Sequence, residues 1–210
     1  MIFMMNFIGK NVKGIVFFVS LVLFLFIADD VFAKEILSMD TLGYEVISSF
    51  ISDNVTSFMK FITYFGSAYV LIPFTALLFI LTKNKKLHIL IVSNLILVTF
   101  LNQFLKFFFQ RPRPEEYRLI SESGYSFPSG HAMVSMAFYG LLIYIVYRYV
   151  KNVYLKYGLM VILFMLILFI GISRIYLGVH YTSDVLGGFL LSICYLTVFT
   201  KVMGKYTNSE

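Results

Sequence analysis

The sequence predicts an all-α integral membrane bundle of six transmembrane helices, with a further helix on its surface between the first and the second. Three observations carry that expectation. Of the 210 residues, 60% are apolar and only 13% are charged. A soluble domain has about 45–50% apolar and about 25% charged residues, so this chain has too little charge to coat a water-facing surface. Six runs free of Asp, Glu, Lys and Arg lie at 14–28, 61–82, 87–105, 132–147, 157–173 and 185–200. They run from 15 to 22 residues, close to the ~20 needed to cross a bilayer once flanking Lys and Arg snorkel to the headgroups. Finally, the basic residues alternate between connections. With both termini on the cytoplasmic side, Lys10, Lys13, Lys83, Lys85, Lys86, Arg148, Lys151, Lys156, Lys201 and Lys205 lie inside, ten of seventeen, and Glu210 is the one acid there.

The first run follows Lys10 and Lys13 and precedes Val31-Phe32-Ala33, a pattern that also fits a signal peptide with a small-residue cleavage site. Asp29 and Asp30 argue against cleavage, so a retained first helix over 14–33 is expected. Between the first two runs, Ile47, Phe50, Ile51, Val55, Phe58 and Met59 recur at three- and four-residue steps. This helical period predicts a helix lying on the outer membrane surface or capping the bundle. The second and third runs are joined by the lysine-rich turn around His88, a headgroup-level position. Lys106 ends the third run and Arg111-Pro112-Arg113-Pro114 follows. Pro128, Ser129 and Gly130 then stop one segment, and His131 opens the fourth helix. Trp is absent, so interfacial anchoring falls to tyrosines such as Tyr144, Tyr147 and Tyr149. Cys194, the single cysteine, sits in an apolar run and reads as a small packing residue. No repeat or linker divides the chain, and one domain over 1–210, with its core at 61–200, is expected.

Chemistry enters where polar groups interrupt apolar helices, because ionisable groups at membrane depth are costly. The fourth helix starts with its N–H groups aimed outward, and Ser129 and Gly130 before it make a ready anion site. The fourth helix descends and the fifth ascends, so His131 and His180 share one side of the membrane, together with Lys106, Arg113 and Arg174. His180 and Asp184 are four apart, which lets the carboxylate accept the imidazole N–H if the sixth helix has begun there. Two histidines, one held by a carboxylate, beside several cations and a helix N-terminus form a phosphoryl-transfer constellation. Plainer roles exist for each: interfacial anchors for Lys106, Arg113 and Arg174, a helix cap for His131, and a partner for Arg174 in Asp184. Arg111 and Arg118 lie near Glu115 and Glu116, where surface salt bridges are expected at least as readily as substrate contact, and they are not counted as catalytic.

The blocks Lys106-x6-Arg113-Pro114, Pro128-Ser129-Gly130-His131 and Ser173-Arg174-x5-His180-x3-Asp184 together resemble the three-part signature of the type 2 phosphatidic acid phosphatase superfamily. Ile62-Thr63-Tyr64-Phe65-Gly66-Ser67 and Leu101-Asn102-Gln103-Phe104-Leu105 also resemble its bacterial membrane-bound branch, so the likeness runs from about residue 61 to 200. The resemblance implies that His180 attacks phosphorus with Asp184 holding its tautomer, and that His131 serves as acid and then base. It assigns the phosphoryl oxygens to Lys106, Arg113, Ser129, Gly130 and Arg174. It implies no metal and no cofactor. The expected substrate is a lipid phosphate monoester or diphosphate, with phosphatidylglycerophosphate, phosphatidic acid and undecaprenyl diphosphate all within the family's range. The expected place is the bacterial inner membrane, with the site on the extracytoplasmic face. The bilayer is the other partner; nucleic acid is not one, and the sequence assigns no oligomeric state. Related vanadium haloperoxidases share the signature but are soluble, which six spans exclude. Two other classes stay open: a lipid transporter or flippase, marked by broken helices and repeats near the midplane, and a non-catalytic scaffold, which would be expected to have lost His131, His180 or Asp184.

Overall fold

The computed structural model describes residues 2–34 and 36–207, and their side chains over 11–34 and 36–203. Among the described residues there are eight helices and no strand: α1 (Ile2–Phe32), α2 (Ser38–Ser48), α3 (Asp53–Tyr64), α4 (Ala68–Leu81), α5 (Lys85–Phe109), α6 (Gly130–Tyr149), α7 (Val153–Tyr176) and α8 (Thr182–Thr207). Five of them contain stretches long and apolar enough to cross a membrane, and α3 with α4 makes a sixth if the bent pair is one span. The all-helical membrane bundle expected from the sequence is therefore what forms. Lys10, Lys205 and Glu210, on which part of the charge asymmetry rests, lie outside the described side chains.

The second span departs from the straight helix expected over 61–82. It is broken at Phe65-Gly66-Ser67, and its two halves meet at a 50° bend. Ser67 is the N-cap of α4, and its hydroxyl donates back to the Tyr64 carbonyl at 2.6 Å, closing off α3. The surface helix is likewise divided. Ile47 and Val55 share a helical period but fall on different helices, because Ser52 adopts extended backbone and accepts from the Val55 N–H, opening α3 there. As a result α3 leans on α7, while α2 caps the bundle against the ends of α7 and α8.

α6 is the central helix, packed on α5, α7 and α8. Its inward side chains, Met133, Ala137, Phe138 and Leu141, are wholly buried. α1 lies along α8, where the Cys194 thiol donates to the Phe17 carbonyl, in keeping with a packing role. The perimeter is the reverse of a soluble protein: Phe26, Ile80, Phe100 and Phe107 are each about two-thirds exposed or more. A continuous apolar exterior of this kind is stable in hydrocarbon and not in water. At the far end from the histidines, the His88 Nε2 meets the Thr82 carbonyl at 2.8 Å and its ring stacks on Phe79, so His88 pins the α4–α5 turn.

Candidate active site

At one end of the bundle the C-termini of α5 and α7 meet the N-termini of α6 and α8. Lys106, Arg113, Gly130, His131, Arg174 and His180 line one cavity of about 520 Å³ there. Helix parity thus brings together residues as far apart as Lys106 and His180. Ser129 and Asp184 are fully buried behind that lining. Ser129 is the N-cap of α6 with no bond from its hydroxyl to the helix, and its backbone N–H donates to the Asp184 carbonyl at 3.0 Å.

His180 is not on a helix. It lies two residues before α8, and the contact anticipated along a helix face is made instead by Asp184 reaching back from the first turn. The Asp184 Oδ2 accepts from the Tyr181 N–H at 2.9 Å and meets the His180 Nδ1 at 3.3 Å. On the other side of the ring, Nη1 of Arg113 lies 3.0 Å from Nε2. Arginine can only donate and an ionised carboxylate can only accept, so the network assigns the proton to Nδ1 and leaves Nε2 unprotonated, its lone pair accepting from Arg113. Burial, reinforced by Arg174, Arg113 and Lys106, holds the His180 imidazole well below its ordinary range. It is neutral at neutral pH.

The turn that delivers His180 depends on one glycine. Gly178 has φ of 68°, a left-handed conformation that other residues adopt at a cost, and a Cβ there would run into the backbone of Tyr117. Next to it, the Leu119 N–H donates to the Leu177 carbonyl at 3.0 Å, tying the α5–α6 connection to the turn. That connection folds over the cavity. Arg113 holds it down by donating to the Gly124, Ser123 and Val179 carbonyls at 2.9–3.0 Å, and Lys106 donates to the Tyr125 carbonyl.

Arg174 is 1% exposed, so it is not a snorkelling anchor. It donates to the Thr63 hydroxyl at 2.7 Å and to the Glu122 carboxylate. Glu122 is the one acid lining the cavity among the described residues, beside three cations. The plainer pairing of Asp184 with Arg174 does not occur. Instead Asp184 pairs with Arg111, which corrects the surface role expected for that residue. Arg111 is 6% exposed and bonds Asp184 and Asp40 at 2.7 and 2.8 Å. Its distance from Glu115 in sequence suggested a surface pair, whereas its partners lie 71 and 73 positions away. Arg118 instead donates to the nearby Pro114 carbonyl.

His131 is positioned by the break in the second span. A Cβ on Gly66 would come within 2.8 Å of Ile170 and 3.1 Å of the His131 ring, so only glycine lets α3–α4 approach this closely. The Tyr139 hydroxyl fixes the break by donating to the Phe65 carbonyl at 2.7 Å. A second, more apolar cavity of about 770 Å³ opens along α4 and α5, lined by Leu71, Ile72, Leu95 and Thr99, and it shares His131, Arg174 and Glu122 with the first. The sequence signals that could have found Glu122 and the broken span were weak: a carboxylate nine residues before His131, and a Gly-Ser pair inside an apolar run.

The chain is similar over 44% of its length to phosphatidylglycerophosphatase B of Bacillus subtilis, at 40% identity; the match spans 46% of that relative. It is 27% identical to an undecaprenyl-diphosphatase of Sulfolobus acidocaldarius over 90% of this chain and 94% of the relative. Among solved structures, the transmembrane PAP2 type phosphatidylglycerolphosphate phosphatase of Bacillus subtilis superposes with a TM-score of 0.81 at 26% identity, covering 92% of this chain and 98% of that one. Aquifex aeolicus LpxE superposes with a TM-score of 0.66 at 28% identity, covering 81% and 97%. The PAP2 superfamily profile matches residues 87–208, more than half of the chain and the whole stretch from Lys106 to Asp184; with the same three blocks folded around one cationic cavity, the chain belongs to the PAP2 superfamily.

Proposed function

We propose that the protein is a membrane lipid phosphatase that hydrolyses a lipid phosphate monoester or diphosphate through a phosphohistidine. The observation that carries this reading is the neutral, Nδ1-protonated His180 in a cavity with three cations, its unprotonated Nε2 held by Arg113, which a phosphoryl oxygen would draw away. In the first step Nε2 attacks the terminal phosphorus, and its bond to the lipid oxygen of a monoester, or to the bridging oxygen of a diphosphate, breaks. His131 donates a proton to the leaving oxygen. In the second step His131 takes a proton from water, whose oxygen attacks the phosphohistidine and releases inorganic phosphate and His180. Lys106, Arg113 and Arg174, with the Gly130 N–H and Ser129, stabilise the charge on the phosphoryl oxygens. The cations occupy the role a metal ion would fill, so the reaction needs none.

The acidic and basic distribution supports an outward-facing site in a bacterial inner membrane. The cavity beside α4 and α5 supports a lipid substrate, since it lets acyl or prenyl chains stay in hydrocarbon while the phosphate reaches His180. A transporter reading gains one point from the broken second span. That break, however, packs on His131, where it serves the proposed acid.

The test is phosphate release by the detergent-purified protein and by His180→Ala, over phosphatidylglycerophosphate, phosphatidic acid and undecaprenyl diphosphate with EDTA present. Release by the wild type alone is expected. No release from any of the three by a folded protein would sink the enzyme reading, and a strict need for added Mg²⁺ would sink the mechanism. A second expectation concerns the apolar cavity. Thr99→Trp places a large ring in it, so KM for a long-chain substrate should rise about tenfold, roughly the cost of losing a well-packed methylene or two, while a dibutanoyl analogue is hydrolysed as before. Equal effects on both would show that the chains lie elsewhere.

A further inference from the structure

Outside the signature, the most heavily built polar cluster is the one around Arg111. Its Nη1 donates to the Ser183 hydroxyl and to the Asp184 Oδ1, both at 2.7 Å, and its Nη2 donates to the Asp40 Oδ2 at 2.8 Å. Its guanidinium lies 4.2 Å above the Tyr181 ring. Asp40 is itself anchored twice more, accepting from the Leu37 N–H on its own helix and from the Ser183 N–H in the first turn of α8. Asp40 and Asp184 are 3% and 0% exposed. Three charged groups at this depth persist only when each is fully paired, because an unpaired one pays a desolvation cost that nothing offsets.

We propose that Arg111, seated by Asp40 of the extramembrane helix α2, is a positioning residue for the reaction: it holds Asp184 ionised and fixes the plane in which that carboxylate presents Oδ2 to the His180 imidazole. The inference rests on the phosphohistidine reading above. Arg111 does not line the cavity of the reacting groups, so it acts through Asp184 alone. With Oδ1 held by Arg111 and Oδ2 by the Tyr181 N–H, and the guanidinium itself fixed by Asp40 and the Tyr181 ring, the carboxylate keeps little rotational freedom. A small rotation at Asp184 would swing the Nε2 lone pair out of line with phosphorus, and misplacements of this size cost on the order of 10²-fold. α2, which the sequence reading left without chemistry, is on this account part of the nucleophile's support.

The test compares Arg111→Gln, Arg111→Lys and Asp40→Asn in the full-length protein, with whichever of the three panel lipids the wild type hydrolyses fastest. Arg111→Gln removes the cation from Asp184, so the His180–Asp184 pair takes up a proton at higher pH. Asp40, which loses its partner in this variant, leaves a negative charge beside the pair and pushes in the same direction, while the other charged groups facing it, Arg113, Lys106, His131, Arg174 and Glu122, are unchanged. The acid limb of kcat/KM should therefore move up by about one pH unit, and kcat at neutral pH should fall about 10²-fold with KM nearly constant. Arg111→Lys keeps the charge, so its acid limb should stay in place while kcat falls about tenfold. Asp40→Asn should also cost about tenfold, and combining it with Arg111→Lys should cost less than the product, since both loosen one clamp.

A uniform loss in Arg111→Gln with an unmoved acid limb would reveal a folding role only and overturn the proposal. So would wild-type kcat in that variant, or strict multiplicativity in the double variant. If Arg111→Gln does not fold, the lysine and asparagine cycle decides by itself. Loss of activity in His180→Ala with these variants unaffected would leave the phosphatase reading standing and this one refuted, whereas an inactive wild type would remove both.

Discussion

His180→Asn is expected to release phosphate at least 10⁴-fold more slowly than the wild type and to take up no phosphoryl group at all. Removing the attacking group from an enzyme of this kind costs on the order of 10⁶-fold, with residual catalysis from the charged cavity. His131→Asn should fall about 10²- to 10⁴-fold, the usual worth of a positioned acid and base. The two variants differ qualitatively. With a ³²P-labelled lipid and an alkaline denaturing quench, His131→Asn should carry label on the protein, because Nε2 of His180 still attacks while the water step stalls. His180→Asn should carry none. Label in His180→Asn would exclude His180 as the nucleophile.

The same assignment fixes the sign of the pH dependence. In the proposed mechanism the nucleophile is the neutral imidazole, and burial with three nearby cations holds the His180 pKa below its ordinary value. The neutral form therefore persists as pH falls past about 6.5, and this limb of the activity is lost only below that, as pH drops through the depressed value. An acid limb above pH 6.5 in kcat/KM would contradict the arrangement.

What the sequence carried and what it did not divides along a physical line. The number of spans and the end of the bundle at which each polar block emerges follow from apolar run lengths and from parity, and those are properties of the chain alone. Lys106, His131, Arg174 and His180 meet for that reason. The break at Gly66 was not legible, because Gly and Ser inside an apolar run are compatible with an unbroken span; the close approach of His131 and Ile170 that Gly66 permits there is a tertiary fact. Arg111 was misjudged by the same route. Sequence proximity to Glu115 and Glu116 offered an exposed partner, whereas burial against Asp40 and Asp184 offers a far stronger one in a place where charge cannot stay unpaired. His180 was expected on the helix with Asp184. The carboxylate satisfies the helix start by accepting from the Tyr181 N–H, and the imidazole in front of it gains its partner from the same oxygen.

Arg174 and Glu122 should respond to substitution in opposite directions. Arg174 lies 1% exposed between Thr63 and Glu122, so its charge is fixed within the cavity with little reorganisation left to make. Fixed cations of this kind act on charge as it develops, and removing one donor from such a site costs about 10²- to 10³-fold. Arg174→Gln should show that loss in kcat/KM. Arg174→Lys should recover only part of it, since one ammonium cannot serve Thr63 and a phosphoryl oxygen together as the forked guanidinium can. Glu122 occupies the Arg174 donor that faces the cavity, and its negative charge opposes that of the phosphate. A substrate reaching Arg174 must displace a carboxylate. Glu122→Gln keeps the shape, frees the cation and removes the repulsion, so KM for the lipid and the inhibition constant for inorganic phosphate should both fall by a few-fold, about the worth of one charge-assisted hydrogen bond shared with solvent. The kinetic check is a pair of inhibition curves with inorganic phosphate. Weaker phosphate binding in Glu122→Gln would mean that the carboxylate orders Arg174 for the substrate and does not compete with it.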